Sequence, residues 1–273
     1  MSQKAIKKII AVASGKGGVG KSTVAINLAL ALAKTGAKVG ILDADIYGPS
    51  QPAMLGAAAE RPVFKDGKLL PIERHGLKSM SMGYLIEPLA PVVWRGPMLG
   101  KALQQLLQDT AWDELDYLVI DLPPGTGDVQ ITLCQKIAVS GAVIVTTPQD
   151  MALLDVRRAC EMFMKLNVPI LGFVENMSFH TCSQCGHEEH IFGQGGGEKL
   201  VQEYKAVLLG SIPLNAQIRE MTDNGNPPVV QAPESDYANA FISVAKKVVD
   251  VLAAQPKDYK NKFPNIVVEN TKK

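Results

Sequence analysis

Short apolar runs alternate along the chain with longer segments in which apolar residues recur at helical spacing. The runs predict strands of a parallel sheet, which are buried on both faces. They cover residues 8–13, 38–42, 117–121, 142–147, 169–174 and 206–212. Helices are predicted over residues 22–34, 97–108, 150–166, 215–222 and 235–253. This alternation predicts an α/β fold with a doubly wound, predominantly parallel sheet.

Two segments interrupt the alternation. Residues 52–82 contain short apolar pieces around Asp66-Gly67, a hairpin signal, and are punctuated by prolines, so they predict a small β excursion. Residues 179–198 are rich in glycine, histidine and cysteine. We therefore expect a single domain over residues 1–255 with these two departures, followed by a C-terminal tail over residues 256–273.

Composition describes a globular protein with a substantial core. The chain has 273 residues, of which 47% are hydrophobic, and a formal net charge of +1. This charge gives no global reason to bind nucleic acid or an anionic membrane. No apolar run reaches about 18 residues, the length of a membrane span, and the basic N-terminus leads directly into the first strand. We expect a soluble, cytoplasmic protein with neither nucleic acid nor membrane as partner.

The segment that follows the first strand fits a phosphate-binding loop. Residues 14–23 contain a glycine, four further residues and then Gly-Lys-Ser, between a strand and a helix. Glycines allow backbone N–H groups to approach phosphate oxygens, and the helix N-terminus adds a favourable dipole. Lys21 is expected to reach the β- and γ-phosphates of ATP and Ser22 to ligate Mg²⁺. The nucleotide contacts expected along the loop are Gly15, Lys16, Gly17, Gly18, Val19, Gly20, Lys21, Ser22 and Thr23.

Acidic residues end two of the predicted strands. Asp43 and Asp45 follow the second run, a position that suits Mg²⁺ and water, although solvated turn carboxylates are the alternative. Asp121 ends an apolar run of the Walker B form and would hold Mg²⁺ through its water shell. Gly125, just beyond it, would bring a backbone N–H to the γ-phosphate. Both strand ends are therefore expected beside the phosphate loop.

A second chemical site is expected at Cys182 and Cys185. Cysteines three apart can place two thiolates on one metal ion or cluster, whereas such a site usually needs four ligands. The other two could be His187 and His190, giving zinc, or the same two cysteines of a symmetry-related copy. The remaining cysteines, Cys134 and Cys160, are expected to be small buried hydrophobic residues.

Lys16 makes the loop resemble the deviant Walker A class of P-loop ATPases. Together with Asp-Ala-Asp-Ile-Tyr-Gly-Pro-Ser at 43–50, Asp-Leu-Pro-Pro-Gly-Thr-Gly-Asp at 121–128 and Cys-x-x-Cys-Gly followed by Ile-Phe-Gly-x-Gly-Gly, the chain resembles the Mrp/ApbC family of iron–sulfur carrier ATPases. The resemblance implies a P-loop NTPase that forms a nucleotide-dependent homodimer. Ser183 departs from the family, in which many members have proline at this position.

The resemblance also assigns residue roles. It implies that Lys16 reaches the partner's nucleotide, that Asp45 orients the attacking water and that Asp43 supports the metal shell. Asn176 would contact the adenine base, and Pro213, at the end of the last strand, is a further nucleotide contact. Cys182 and Cys185 of two copies would hold a [4Fe-4S] cluster that is passed to apo iron–sulfur proteins. The alternatives are a partition or positioning ATPase and an ATPase with a structural zinc knuckle.

Overall fold

The structure is a computed structural model that describes residues 6–86 and 96–255. Its strands are β1 (Ile6–Ser14), β2 (Val39–Asp43), β3 (Phe64–Lys65), β4 (Lys68–Leu69), β5 (Ile72–Arg74), β6 (Leu77–Ser81), β7 (Leu115–Asp121), β8 (Gly141–Thr146), β9 (Ile170–Asn176), β10 (His180–Thr181), β11 (Glu188–Glu189) and β12 (Leu208–Ile212). Its helices are α1 (Lys21–Ala33), α2 (Gln51–Met54), α3 (Gly96–Asp109), α4 (Asp128–Lys136), α5 (Asp150–Lys165), α6 (Gly196–Tyr204), α7 (Ala216–Asp223), α8 (Pro228–Gln231) and α9 (Asp236–Ala254).

Eight of the described strands form one sheet in the order β12-β9-β8-β1-β7-β2-β6-β5. Every neighbouring pair is parallel except β5 and β6, which are antiparallel. The central strands are almost wholly buried, as the continuous apolar runs of the sequence require. The predicted α/β fold with a predominantly parallel sheet is confirmed.

The order of the strands explains why the sheet carries helices on both faces. The connection from β1 to β2 moves in one direction along the sheet, and the connections from β7 to β8, β8 to β9 and β9 to β12 move in the other. Right-handed crossovers in opposite directions place their helices on opposite faces. Accordingly α1 packs with α8 and α9, whereas α5 packs with α6. The direction changes at β1, and open α/β sheets bind ligands at such a point.

The segment 52–82 differs from the predicted excursion. The Asp66-Gly67 hairpin is confirmed, since both residues have positive φ and join β3 to β4. However, β6 belongs to the central sheet, where it pairs in parallel with β2. The apolar pattern does not reveal this strand, because the polar residues Ser79 and Ser81 occupy buried positions. Their hydroxyl groups are hydrogen bonded there.

The segment 179–198 also differs from a continuous loop. Residues 180–189 form the β10–β11 hairpin, and α6 begins inside the glycine run, at Gly196. One cluster of buried apolar side chains extends through the described residues, from Ile9 to Leu252. The predicted tail, 256–273, lies outside the described residues. None of the described helices is long and apolar enough to cross a bilayer.

Candidate functional site

The phosphate loop connects β1 to α1 and packs against β9 on one side and α5 on the other. Gly20 precedes α1 with φ 80°, and a Cβ there would lie 2.1 Å from Nδ2 of Asn176. A Cβ at Gly15 would lie 2.3 Å from the backbone carbon of Asp155 in α5. Because neither position has room for a side chain, glycine is required at both. The ends of the loop are therefore fixed by β9 and by α5.

Asn176 contacts the phosphate loop directly. Its Nδ2 donates a hydrogen bond to the carbonyl oxygen of Val19 over 2.8 Å, and the residue is 7% exposed. Ile212 pairs with Asn176 in the sheet, so Pro213 follows at the same edge. The structure therefore gives Asn176 a role in holding the loop, and the adenine contact expected of Asn176 and Pro213 remains a prediction.

Lys21 forms a buried ion pair with Asp121. The two side chains are 7% and 0% exposed, and Lys21 Nζ also lies 3.2 Å from Ser22 Oγ. Asp121 receives a second hydrogen bond, over 2.8 Å, from Nε2 of Gln51. The sequence predicts that Lys21 faces only the nucleotide phosphates. In the structure its charge also compensates a carboxylate that would otherwise be buried alone.

Asp43 organises the segment that follows β2. Its Oδ1 accepts a hydrogen bond from the N–H of Asp45, and its Oδ2 accepts bonds from the N–H groups of Ser50 and Gln51 and the hydroxyl of Ser81, over 3.0 to 3.2 Å. Burial and the neighbouring Asp121 carboxylate raise the pKa of Asp43 to about 7, while these backbone bonds oppose the shift. Both oxygens have protein donors, so Asp43 anchors this loop, and its place in a metal shell remains a prediction.

Eight of the predicted residues line one cavity of about 250 Å³. They are Lys16, Gly17, Gly18, Gly20, Lys21, Ser22, Thr23 and Asp45. Partial burial raises the pKa of Asp45, and the Lys21 ammonium opposes this rise. Gly125 lies next to the loop, with its N–H bonded to the Ser14 carbonyl oxygen over 2.9 Å. The cavity therefore combines phosphate-loop N–H groups, an ammonium group and a carboxylate.

Two residues that the sequence did not single out, Ser50 and Gln51, complete the polar surroundings of this cavity. Gln51 Nε2 bonds to Asp121 and to the Ser22 carbonyl oxygen; because both partners are acceptors, the amide nitrogen must face them. Gln51 Oε1 and Ser50 Oγ are the buried side-chain polar atoms in residues 6–86 and 96–255 that have no protein partner. Unpartnered oxygens beside Ser22 and Asp121 fit hydrated Mg²⁺, whose bound waters donate hydrogen bonds. In the sequence, Ser50 is the last residue of the motif at 43–50 and Gln51 follows it directly, and nothing else marks either residue.

Cys182 and Cys185 lie at the turn of the β10–β11 hairpin. The N–H of Cys182 donates to the His187 carbonyl oxygen, and the N–H of Gly186 donates to the Cys182 carbonyl oxygen, both over 2.9 Å. Cys182 is half-buried and Cys185 is exposed. Hydrogen bonds from the backbone N–H groups of Cys185 and Gln184 lower the pKa of the Cys182 thiol. A thiolate is the form that binds metal, so the turn favours Cys182 as a ligand.

His190 has partners of its own outside the cysteine pair. His190 Nδ1 bonds to the Ser178 carbonyl oxygen over 2.9 Å, and its Nε2 lies 3.7 Å from a Glu188 oxygen. Within the part of the chain that the structure describes, no three His, Cys, Asp or Glu side chains are grouped to hold a metal ion. The zinc alternative with His187 and His190 is therefore not assembled in this chain.

Cys134 and Cys160 are buried in helices α4 and α5, as predicted. Burial raises the pKa of both thiols to about 12. They are therefore poor metal ligands and poor nucleophiles at neutral pH.

The family described as "NUBPL iron-transfer P-loop NTPase" matches residues 5–249. Among curated proteins, the chain is 60% identical to an iron-sulfur cluster carrier protein of Pseudomonas fragi, over 88% of this chain and 84% of that protein. It is 58% identical to an iron-sulfur cluster carrier protein of Escherichia coli, of which it spans 67%. It is also 49% identical to the mouse iron-sulfur cluster transfer protein NUBPL, over 92% of this chain and 79% of that protein.

Solved structures of similar fold include a nucleotide-binding protein and an ATPase. A nucleotide-binding protein of Archaeoglobus fulgidus in complex with ADP is 40% identical, with a TM-score of 0.75 over 87% of this chain and 93% of that one. The cell division ATPase MinD of Pyrococcus furiosus is 26% identical, with a TM-score of 0.67 over 90% of this chain and 99% of that one. The phosphate loop, the acidic strand ends and the cysteine pair agree with these similarities. The chain belongs to the family of NUBPL iron-transfer P-loop NTPases.

Proposed function

We propose that this protein is an ATP-binding and ATP-hydrolysing iron–sulfur cluster carrier. It holds a labile [4Fe-4S] cluster between two copies of the chain and passes it to apo-proteins. The observation that carries the proposal is the presence of two sites on one sheet edge. A phosphate-binding cavity follows β1, and the hairpin that presents Cys182 and Cys185 follows β9. The curated relatives named as cluster carriers support it over most of the chain.

The cluster is cargo, and ligand counting supports a location between two copies. One chain presents one close thiolate pair, and four thiolates complete the usual coordination of a four-iron cluster. A two-fold axis supplies the second pair without further residues. In transfer, each client thiol loses its proton as it binds iron, and each released carrier thiolate gains one. The oxidation state of the cluster does not change.

The phosphate cavity would bind Mg·ATP. Mg²⁺, held by Ser22 and through water by Asp121, would neutralise phosphate charge. Lys21 would move from Asp121 to the β- and γ-phosphates, and Lys16 would contact the nucleotide of the partner copy. Asp45 would orient the water that attacks the γ-phosphorus, releasing ADP and phosphate. Hydrolysis would then time the binding or the release of the cluster.

Asp45→Ala is expected to slow hydrolysis about a hundredfold while ATP still binds, because a general base contributes mainly in the transition state. Partial burial raises the pKa of Asp45, which makes its carboxylate a stronger base. Single-turnover phosphate release gives the rate, and titration with a fluorescent nucleotide gives the affinity. Asp45→Asn is the matched control, since it keeps the shape of the side chain and removes the base. Equal losses of affinity and rate would make Asp45 a metal or structural residue instead.

Cluster transfer tests the proposed function directly. Protein reconstituted anaerobically with iron and sulfide should activate an apo four-iron enzyme, even when a chelator in solution captures released iron. Metal analysis and visible absorption before and after mixing follow the cluster. Activation that the chelator abolishes would mean release and not transfer. A protein that takes up zinc and never assembles a cluster would instead be an ATPase with a zinc knuckle.

A positioning ATPase is the second candidate, favoured by the structural similarity to MinD. Such a protein assembles on a membrane or on DNA, a role that does not require a pair of cysteines at a hairpin turn. We propose instead that the chain acts in the cytoplasm, without nucleic acid or membrane. Co-sedimentation with anionic vesicles or with DNA in the presence of ATP would favour the positioning ATPase.

A further inference from the structure

Glu175 bonds to both ends of the segment that carries the cysteines. It is the penultimate residue of β9 and is 3% exposed. Its Oε1 accepts a hydrogen bond from the hydroxyl of Ser178 over 2.5 Å, and its Oε2 accepts one from the N–H of Gly197 over 2.6 Å. Ser178 precedes the β10–β11 hairpin, and Gly197 lies in the first turn of α6. One carboxylate therefore joins Ser178 and Gly197, the two ends of this segment, which we call its base.

The same base is held at two further points. The Ser178 N–H donates to the Ile212 carbonyl oxygen over 3.0 Å, which ties the segment to β12. The Ser178 carbonyl oxygen accepts a hydrogen bond from His190 Nδ1, so this ring nitrogen carries the proton. The segment is thus anchored at its start, after the hairpin and at its end, whereas its cysteine turn is exposed to solvent.

The location of Glu175 suits a carboxylate that has to stay in place. A buried carboxylate is costly unless its oxygens accept hydrogen bonds, and both oxygens of Glu175 do. The N-terminus of α6 adds a favourable dipole. Closing the segment at its base removes much of the conformational freedom that a glycine-rich loop would have. Glu175 therefore restricts the positions that the two thiols can reach.

We propose that Glu175 is the positioning residue of the cysteine pair, which it orients by joining Ser178 to Gly197. The proposal rests on the proposed function, because the pair has to meet its copy across a two-fold axis around one cluster. Residues that hold metal ligands from outside the coordination shell affect metal affinity about 10- to 100-fold. Glu175 would act one step further out, through Ser178 and Gly197, and no metal-binding pattern in the sequence includes it.

Hydrogen exchange of the apo-protein tests the positioning without any cluster. In Glu175→Ala, the amides of Cys182 and Gly186 should exchange about tenfold faster, since bonds to a charged group are lost at the base. Amides of α1 and the affinity for ADP should not change. Glu175→Gln is the matched control, because its oxygen can accept from Gly197 and its nitrogen can donate to the Ser178 hydroxyl. Unchanged exchange in Glu175→Ala, or faster exchange throughout the chain, would overturn the proposal.

Reconstitution then tests whether the ordering of the cysteine turn by Glu175 affects the bound cluster. The cluster of Glu175→Ala should decay in air about tenfold faster than that of the wild type, and that of Glu175→Gln at close to the wild-type rate. Equal lifetimes for all three proteins would contradict a positioning role. If the wild type formed no cluster, the proposed function would fail, and the exchange measurement would still decide whether Glu175 orders the cysteine turn.

Discussion

Lys21→Ala is expected to reduce ATP hydrolysis at least about a hundredfold, the effect of removing one donor that stabilises transition-state charge. It should also destabilise the protein without nucleotide. Lys21 pairs with the buried carboxylate of Asp121, and breaking a buried pair by removing one partner costs about 3–5 kcal/mol. Phosphate release measures the first effect, and urea denaturation measures the free energy of unfolding.

The exposed pair of Lys7 and Asp116 provides the matched control. Lys7 is 74% exposed, and an ion pair screened by solvent contributes little to stability, so Lys7→Ala should change neither quantity appreciably. In the double variant Lys21→Ala/Asp121→Asn, the lost stability should largely return while hydrolysis stays low. Wild-type hydrolysis in Lys21→Ala would refute the assignment of the phosphate loop.

Cys182→Ala and Cys185→Ala are each expected to abolish cluster binding, since either change leaves at most two thiolates for four iron sites. Wild-type protein should hold about four iron atoms per dimer if a four-iron cluster forms. Iron and sulfide analysis gives the content, and size-exclusion chromatography with light scattering gives the mass of the loaded species. Both variants should still bind nucleotide, because the cysteine turn is exposed and does not line the phosphate cavity.

Three further variants separate the possible ligand sets. Cys134→Ala and Cys160→Ala should retain the cluster, because both thiols are buried in helices α4 and α5. His187→Ala should retain it as well. A loaded protein that runs as a monomer would rule out a cluster shared between copies. Loss of a bound zinc ion in His187→Ala would identify a zinc knuckle.

The sequence predicts the phosphate loop, which one continuous segment encodes, and the meeting of two acidic strand ends. The phosphate loop can be recognised because Gly15, Gly20 and Lys21 lie close together in the sequence, between a predicted strand and a predicted helix. Parallel strands end at one edge of a sheet, and this rule predicts that Asp43 and Asp121 lie close together. In the structure they are opposite each other in the register of β2 and β7.

The individual hydrogen bonds between side chains of distant segments could not be predicted. Asn176 and Val19 are 157 positions apart, and Lys21 and Asp121 are 100 apart. The membership of β6 in the central sheet depends on serines whose hydroxyl groups find partners only in the folded chain. Glu175 looks like an ordinary polar residue at a strand end until α6 brings Gly197 against it. In each case tertiary hydrogen bonding decides the outcome, and hydrophobic periodicity does not report it.

The adjacency of Glu175 and Asn176 limits how the cysteine hairpin could be moved to another protein. Side chains of consecutive strand residues point to opposite faces, so one peptide unit of β9 serves the hairpin through Glu175 and the phosphate loop through Asn176. An insertion of one residue between them would turn one of the two side chains away from its partner. A graft of the hairpin would need residues 175–197 as one block. The recipient would also need a neighbouring strand whose carbonyl group replaces that of Ile212.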